Sequence, residues 1–320
     1  MNAHKNIKIA VQMDNLNAIN RETDSTLALI QEALRRRFSI FIYKVDDLYL
    51  ENNTLKAYAA RVLRLNVNKE KFLTLEKFST INLNYYDFIL IRQDPPFDMQ
   101  YITATYLLEK LPQSCLVLNN ASSIRDCPEK LFVMEFFDLM PPTLISRHIS
   151  SILKFVKDFK RVVIKPLYGN GGSNVFYLNE NDPNLNIIIE NLLSKREHVI
   201  VQKFIKKIKY GDKRILLING EPVGAVNRIP TNNEIRANLH IGGLAKKTKL
   251  TEREKFICNQ IKYKIKEKGL FFVGIDIIDG FITEINVTSP TCIREIDFLN
   301  KTNISSIYWQ EALKLRNHRA

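Results

Sequence analysis

A chain of 320 residues, 45% hydrophobic and 25% charged, has enough apolar material for two or three domains with cores of their own. That composition excludes disordered, collagenous and repeat architectures, and no run of about 18 apolar residues is present to span a membrane. The 47 basic against 34 acidic residues leave +13, which favours anionic partners (nucleic acid, a membrane surface or phosphorylated small molecules) without choosing among them. Met1–Asn6 runs straight into the apolar Ile7–Met13 with none of the features of a secretory signal. Cys115, Cys127, Cys258 and Cys292 are far apart and form no CxxC. That spacing argues against a disulfide framework or a cysteine zinc site, and the expected location is a reducing cytoplasm.

In chain order, Ile7–Met13 reads as a strand, Asp24–Arg37 as a helix with Leu27, Ile30 and Leu34 on one face, and Ser39–Tyr43 as a strand. The run Arg35–Arg37 closes that helix, where cations suit the helix end. Phe88–Arg92, Tyr101–Lys110 and Leu116–Asn119 repeat the strand, helix, strand order. Such alternation predicts an open, mainly parallel α/β sheet. The polar loops Asp14–Asn17 and Gln93–Pro96 follow two of these strands, where ligands gather, although plain turn chemistry explains each loop equally well.

After Asn120 the texture changes. Pro128–Met134 reads as helical, and Pro141-Pro142 marks a boundary region. Strands are predicted at Arg161–Lys165, Asn174–Leu178 and Val199–Phe204, with a helix near Asn184–Ser194. Arg214–Ile218 and Pro222–Ile229 flank the turn Asn219-Gly220, and Phe271–Ile278 and Phe281–Asn286 flank Asp279-Gly280. A long helix, Thr251–Lys268, stops at Gly269. This half is α+β.

Three constellations carry chemistry. Lys165 arrives on a strand that feeds Gly169, Gly171 and Gly172, and glycines let backbone N–H groups approach phosphate oxygens while a lysine supplies charge. The glycines alone would read as a hairpin; no Walker A or GxGxxG spacing is present. Asp276, Glu284 and Asn286 lie on adjacent strands of one hairpin, embedded in apolar residues. Glu284 and Asn286 share a face, and Asp276 can sit across from them, giving three oxygen donors suited to Mg2+ rather than a solvent-facing acidic turn. In Gln202–Arg214, the Val199–Phe204 segment suits a flat heterocycle, and Lys213 and Arg214 open the next strand, where an arginine meets a transferring phosphoryl group. The glycine-closed loop with Arg236 and Asn238 reads equally as a mobile active-site segment or a surface loop. The five histidines form no pair with metal or triad spacing, and Cys292 reads as structural.

These residues, with Arg92–Asp98, Ser123–Phe132, Gly211–Arg214, Arg228–Pro230 and Thr283–Glu295, resemble the ATP-grasp ligases and within them the bacterial glutathione synthetases, collinearly over nearly the whole chain. The resemblance implies an ATP-grasp fold behind the N-terminal α/β domain, divided as 1–122, 123–198 (the first subdomain, with the glycine loop) and 199–320 (the second, with the metal site). It implies ATP- and Mg2+-dependent joining of γ-glutamylcysteine to glycine through an acyl phosphate, with Mn2+ as a substitute ion. By the same resemblance Lys130, Lys165, Lys213 and the three glycines attend the nucleotide phosphates, and Gln202, Lys203, Phe204 and Ile205 hold adenine. Arg92, Arg214, Arg236, Asn238, Ser289 and Thr291 meet substrate, with Arg214, Arg236 and Lys165 catalytic and Asp276, Glu284 and Asn286 holding metal. Arg236–Gly243 is the expected lid. A homotetramer, and no nucleic-acid or membrane partner, are implied as well. Tyr168, Asn170 and Lys203 depart from the family's usual residues at their positions, which bears on loop dynamics and nucleotide affinity. A ligase of another carboxylate and amine, such as D-alanine, would lack the Thr288–Glu295 segment. A basic nucleic-acid-binding protein would leave the buried acidic triplet without a role.

Overall fold

The computed structural model of the chain describes residues 7–169, 171–231, 234 and 236–318. Asn170, the stretch before Ile7 and Ile235 therefore lie outside the described residues. The first sheet is organised by Lys8–Gln12, where Ile9, Ala10 and Val11 are fully buried, as both faces of a central strand must be. Ser39–Tyr43 pairs with it on one side and Phe88–Ile91 on the other, and Leu116–Leu118 follows, all parallel. Helix Ser25–Arg35 makes the first crossover, capped by Asp24 accepting from Leu27 N at 2.6 Å. Arg35 and Arg36 pair with Glu32, and Arg36 also donates to Ser306 O and Oγ, so these two arginines serve structure.

An antiparallel extension completes this eight-stranded sheet, and the sequence reading leaves it out. Its hub is the 12-residue strand Thr54–Leu65, which pairs with Leu48–Glu51, Leu73–Leu75, Ser79–Asn82 and Ser39–Tyr43. The segment TLKAYAARVLRL is rich in good helix formers, yet its Leu55, Ala57, Ala59 and Val62 are buried on the sheet. Pairing with four strands overrides local propensity here.

The second sheet is antiparallel, ordered Phe176–Asn179, Arg161–Pro166, Val199–Lys203, Thr143–Ser146. Helices Ile149–Phe159 and Leu185–Leu193 cover it, and Ile152, Val156, Ile164, Ile189 and Val201 form a core of its own. The third sheet, also antiparallel, runs Leu244–Lys247, Glu221–Ile229, Asp212–Ile218, Phe272–Ile278, Phe281–Asn286. Its two turns, Asn219-Gly220 and Asp279-Gly280, have φ of 49° and 75° and of 51° and 74°, as tight hairpins require. Helix Glu252–Glu267 starts in a Thr251/Glu254 capping box, buries Ile257, Ile261 and Ile265, and ends before Gly269 with φ 62°.

The first and third sheets share one core. Helices Ile293–Asn300 and Ile304–Asn317 return the chain to the first sheet, where Trp309 meets Phe38 and Phe88 edge-on at 5.7 and 5.8 Å. The Trp309 indole donates to Leu29 O at 2.9 Å, and Tyr308 packs on Phe271 and Phe272 of the third sheet. Asn119, at the end of the parallel strands, works as a polar rivet: it donates to Phe272 O and Val287 O at 2.8 and 2.7 Å and accepts from Phe272 N at 2.6 Å. Replacing Asn119 by Ala strands three buried backbone groups and is expected to lower stability by about 2–4 kcal/mol. Denaturant unfolding followed through the fluorescence of Trp309, the one tryptophan of the sequence, measures it directly; a loss under about 0.5 kcal/mol would mean the rivet carries no load.

Candidate active site

Strand alternation decides which side chains reach the cavity between the second and third sheets. Along Asp212–Ile218, Asp212 and Arg214 face it. Lys213 faces the other way, ion-paired with Glu254 at 2.7 Å and donating to Lys249 O at 2.9 Å. The expected nucleotide contact of Lys213 is thereby corrected: a lysine between two inward residues of a strand points out.

Two register shifts assemble the charges. Counting back from Asn219-Gly220 pairs Asp212 with Asn227, but an irregularity at Leu216/Leu217 makes the partner Arg228. Pro222, which cannot donate, and Gly224, where a Cβ would lie 2.6 Å from Ile296 Cγ2, sit on either side of the extra residue Val223. Counting back from Asp279-Gly280 pairs Asp276 with Thr283, and a shift at Asp276/Ile277 pairs it with Glu284 instead. Arg214 stands opposite Asp276 on the neighbouring strand.

The result is a buried ionic lattice. Arg214 Nη2 donates to Asp276 Oδ2 at 2.9 Å, Arg228 Nη2 lies 2.9 Å from Asp276 Oδ1, and Asn286 Nδ2 donates to Asp276 Oδ2 at 3.3 Å. Burial works to raise the Asp276 pKa, but Arg214 and Arg228 outweigh it and hold the carboxyl well below the usual range. Asp212, ion-paired with Arg228, is raised to about 6 by burial, with Asp276 adding repulsion against the pull of Arg228. Lys130 Nζ meets Glu284 Oε1 at 2.9 Å and also donates to Gly169 O. Its pKa is raised: burial opposes the charge, but Glu284 and Glu129 prevail. Glu284 is lowered, burial being outweighed by Lys130 and Lys165. Lys165 is lowered, by burial first, with Lys130 repelling it and Glu284 only partly compensating. It is a lysine short of anions.

Gly171 and Gly172 of the loop after Lys165 have φ of 61° and 80°. A Cβ on Gly172 would fall 2.9 Å from Asn238 Oδ1, and Arg236 Nη1 donates to Gly172 O at 3.0 Å, so the glycine loop and the Arg236–Asn238 segment close on each other. Pro141, Val163, Phe204, Ile205, Ile208 and Ile278 line an apolar slot in the same cavity, whose whole volume is 740 Å3. Gln202 is buried with its side chain on Thr143 Oγ1. The side chain of Lys203 is exposed, its Nζ 5.9 Å from the Phe159 ring centroid. Lys203 also lines the cavity.

Ser289, Thr291 and Cys292 also line the cavity, with Asp14, Asp94 and Pro95 from the loops that follow strands of the first sheet. The Cys292 thiol is raised by burial, unlike an activated nucleophile. Arg92 does not line the cavity. It is buried behind it, donating to Thr26 Oγ1 and Pro290 O at 3.1 and 3.0 Å, and its own carbonyl accepts from Ser289 Oγ. The expected substrate contact becomes a support for the Ser289–Thr291 loop. Sequence reasoning missed Asp212, Arg228 and Glu129. Glu129 accepts from Val287 N, Thr288 N and Thr288 Oγ1 at 3.1, 3.3 and 2.8 Å, tying the Lys130 helix to the chain that follows strand Phe281–Asn286. A glutamate beside Lys130 was the available signal; for Asp212 and Arg228 the signal was hidden by the register shift.

The donors at Asp276, Glu284 and Asn286 are all oxygen-bearing, with neither histidine nor thiolate among them, which fits a hard divalent cation. Among the described residues no three His, Cys, Asp or Glu side chains are grouped to cage an ion, so a cation here would complete its shell with phosphate oxygens and water.

Three sheets around a phosphate- and cation-ready cavity define an ATP-grasp ligase. The structures of D-cycloserine synthetase DcsG (TM-score 0.66, 12% identity, 98% of this chain and 100% of that one) and of D-alanine–D-alanine ligase from Bacillus anthracis complexed with ATP (0.61, 12%, 99% and 100%) share the fold. Residues 7–125 match the prokaryotic glutathione synthetase N-terminal domain and residues 129–301 the prokaryotic glutathione synthetase ATP-grasp domain. The chain is 45% identical over 307 residues to glutathione synthetase of Mesorhizobium japonicum (95% of this chain, 97% of the relative). It is 40% identical over 301 residues to that of Pseudomonas aeruginosa (93% and 95%). The chain belongs to the prokaryotic glutathione synthetase family, whose members use ATP and a divalent metal.

Arg228 is the only cation bridging Asp212 and Asp276 among the described residues. Arg228→Met is expected to cost about 3–5 kcal/mol of stability, as breaking a buried pair does, while Arg228→Lys recovers part of it; thermal unfolding of the two variants distinguishes lost charge from lost packing.

Proposed function

We propose that this ligase joins γ-glutamylcysteine to glycine, releasing ADP and phosphate. The observation that carries the reading is the clustering of Lys130, Lys165 and Arg214 against Glu284 and Asp276 in one cavity that also holds an apolar slot and the Ser289–Thr291 loop. Adenine occupies the slot against the backbone of Gln202–Ile205. Lys130, Lys165 and the N–H groups of Gly169, Gly171 and Gly172 hold the phosphates. Asp276, Glu284 and Asn286 would hold Mg2+, or Mn2+ in its place, and a cation held there would offset charge on the transferring phosphoryl group.

A carboxylate is a poor acyl donor, so its oxygen first takes the γ-phosphoryl group and ADP leaves. Arg214 and Lys165 stabilise the charge on the group in transit. The glycine amine then attacks the acyl carbon, phosphate departs with the C–O electrons, and the amine loses a proton. Arg236, Asn238, Ser289 and Thr291 orient the carboxylate substrates. No enzyme nucleophile enters, which accords with the raised pKa of the Cys292 thiol. Arg236–Gly243 serves as the lid that excludes water. The division 1–122, 123–198 and 199–320 is proposed for the N-terminal domain and the two subdomains, with strand Val199–Lys203 of the third part completing the second sheet. The proposed setting is a cytoplasmic homotetramer without nucleic-acid or membrane partners; among the described residues no helix is long and apolar enough to cross a membrane.

Three experiments test this reading. ADP release with γ-glutamylcysteine is expected to depend on glycine and to stop on chelation of divalent metal; turnover equally fast with D-alanine alone would favour the alternative ligase. Trypsin cleavage within 228–253 is expected to slow once ATP and substrates are bound, and an unchanged rate removes the lid assignment. Because phosphate favours the charged form of Lys165, ATP binding takes up a proton above the lowered pKa, and affinity should fall as pH rises through it. Calorimetry across alkaline pH should find that dependence in the wild type and lose it in Lys165→Met.

A further inference from the structure

The glycine loop is anchored at three points, and the third lies beside the cavity. Lys130 holds Gly169 O and Arg236 holds Gly172 O. Glycines have no side chains with which to grip a neighbour, so the position of the loop depends on such outside contacts. The third contact is an aromatic stack: the ring of Tyr168 lies on that of Phe97, centroids 6.1 Å apart with planes inclined by 19°. Phe97 belongs to the turn that follows strand Phe88–Ile91, and its ring leans in turn on buried Tyr101 at 5.4 Å. The separation falls in the range where aromatic pairs attract.

The place of the stack gives it meaning. Tyr168 hangs from the second sheet, which has a core of its own, and Phe97 from the first sheet, which shares its core with the third. The Tyr168–Phe97 stack bridges those two bodies beside the cavity, next to Pro95 and Gly169 of its lining. Tyr168 is 38% exposed, so burial in a core does not account for its ring.

We infer that Tyr168 and Phe97 form a latch that holds the glycine loop closed across the reacting carboxylate, making Tyr168 a positioning residue for the ligation. The inference rests on the ligase reading above. With the loop open, water replaces glycine: it adds to the acyl carbon, the C–O bond to phosphorus breaks, phosphate leaves, and the carboxylate is regenerated with release of a proton. ATP is then hydrolysed without product. A closed latch suppresses that loss.

The test measures ADP released per glutathione formed in the wild type, Tyr168→Ala, Phe97→Ala, the double variant and Tyr168→Phe. The ratio is expected to rise about twofold to tenfold in either Ala variant, the range an aromatic pair supplies. It should rise no further in the double variant and stay at the wild-type value in Tyr168→Phe. A residue that matters only for folding would lower the amount of active enzyme and leave the ratio unchanged. A wild-type ratio in Tyr168→Ala, or effects of the two Ala variants that multiply, overturns the latch. Limited proteolysis within 166–176 in the presence of ATP is read on the same proteins, with faster cleavage expected in Tyr168→Ala and equal cleavage counting against the latch. That second readout keeps the two ideas apart. Absence of glycine-dependent product in the wild type defeats the ligase reading, while loop cleavage still decides whether the stack holds the loop.

Discussion

The site depends on the register of two hairpins. A strand has only two faces, so one extra residue decides whether a side chain meets the cavity or the opposite surface. Val223 and Thr283 are those extra residues, and with them Arg228, Asp212, Arg214, Asp276 and Glu284 are brought to one face. Without the shifts Glu284 would lie behind the sheet and Asp276 would keep only Arg214 as a near cation. The charges then hold one another: each buried carboxylate has a basic partner, the condition for keeping ions out of water at tolerable cost.

That rigid face is carried on a composite body. The first and third sheets are welded by Trp309, Tyr308 and the Asn119 rivet, so the loops after the parallel strands and the Asp276–Glu284 hairpin hold a fixed relation. The second sheet, carrying Lys165 and the glycine loop, has an independent core and meets them mainly around the cavity. A ligase needs that division. The acyl acceptor must be held still, while the nucleotide has to enter and leave.

Much of this was legible in the sequence. The parallel strands announce themselves through apolar runs such as Ile7–Met13 and Phe88–Ile91, and the two tight turns through Asn219-Gly220 and Asp279-Gly280. Lys165, the glycines and the acidic hairpin were picked out by residue type and spacing, and all line one cavity. The strand Thr54–Leu65 was not, because its composition favours a helix until four partner strands pair with it. Lys213 was misassigned because a motif was read without its alternation. Asp212 and Arg228 were missed because bulges leave little trace in a pattern read two residues at a time; only the Pro222 and Gly224 pair hinted at one.

The pairing of Lys130 with Glu284 carries a consequence for selectivity. A bare phosphate that drew Lys130 to itself would leave a buried glutamate with one fewer counter-charge, and the exchange would cost nearly as much as it returned. A ligand that brings an anion for the lysine and a cation for the glutamate replaces both partners in one event. On the proposed roles, the ion pair would favour a polyphosphate that arrives with its metal over a ligand that takes Lys130 and offers Glu284 no cation.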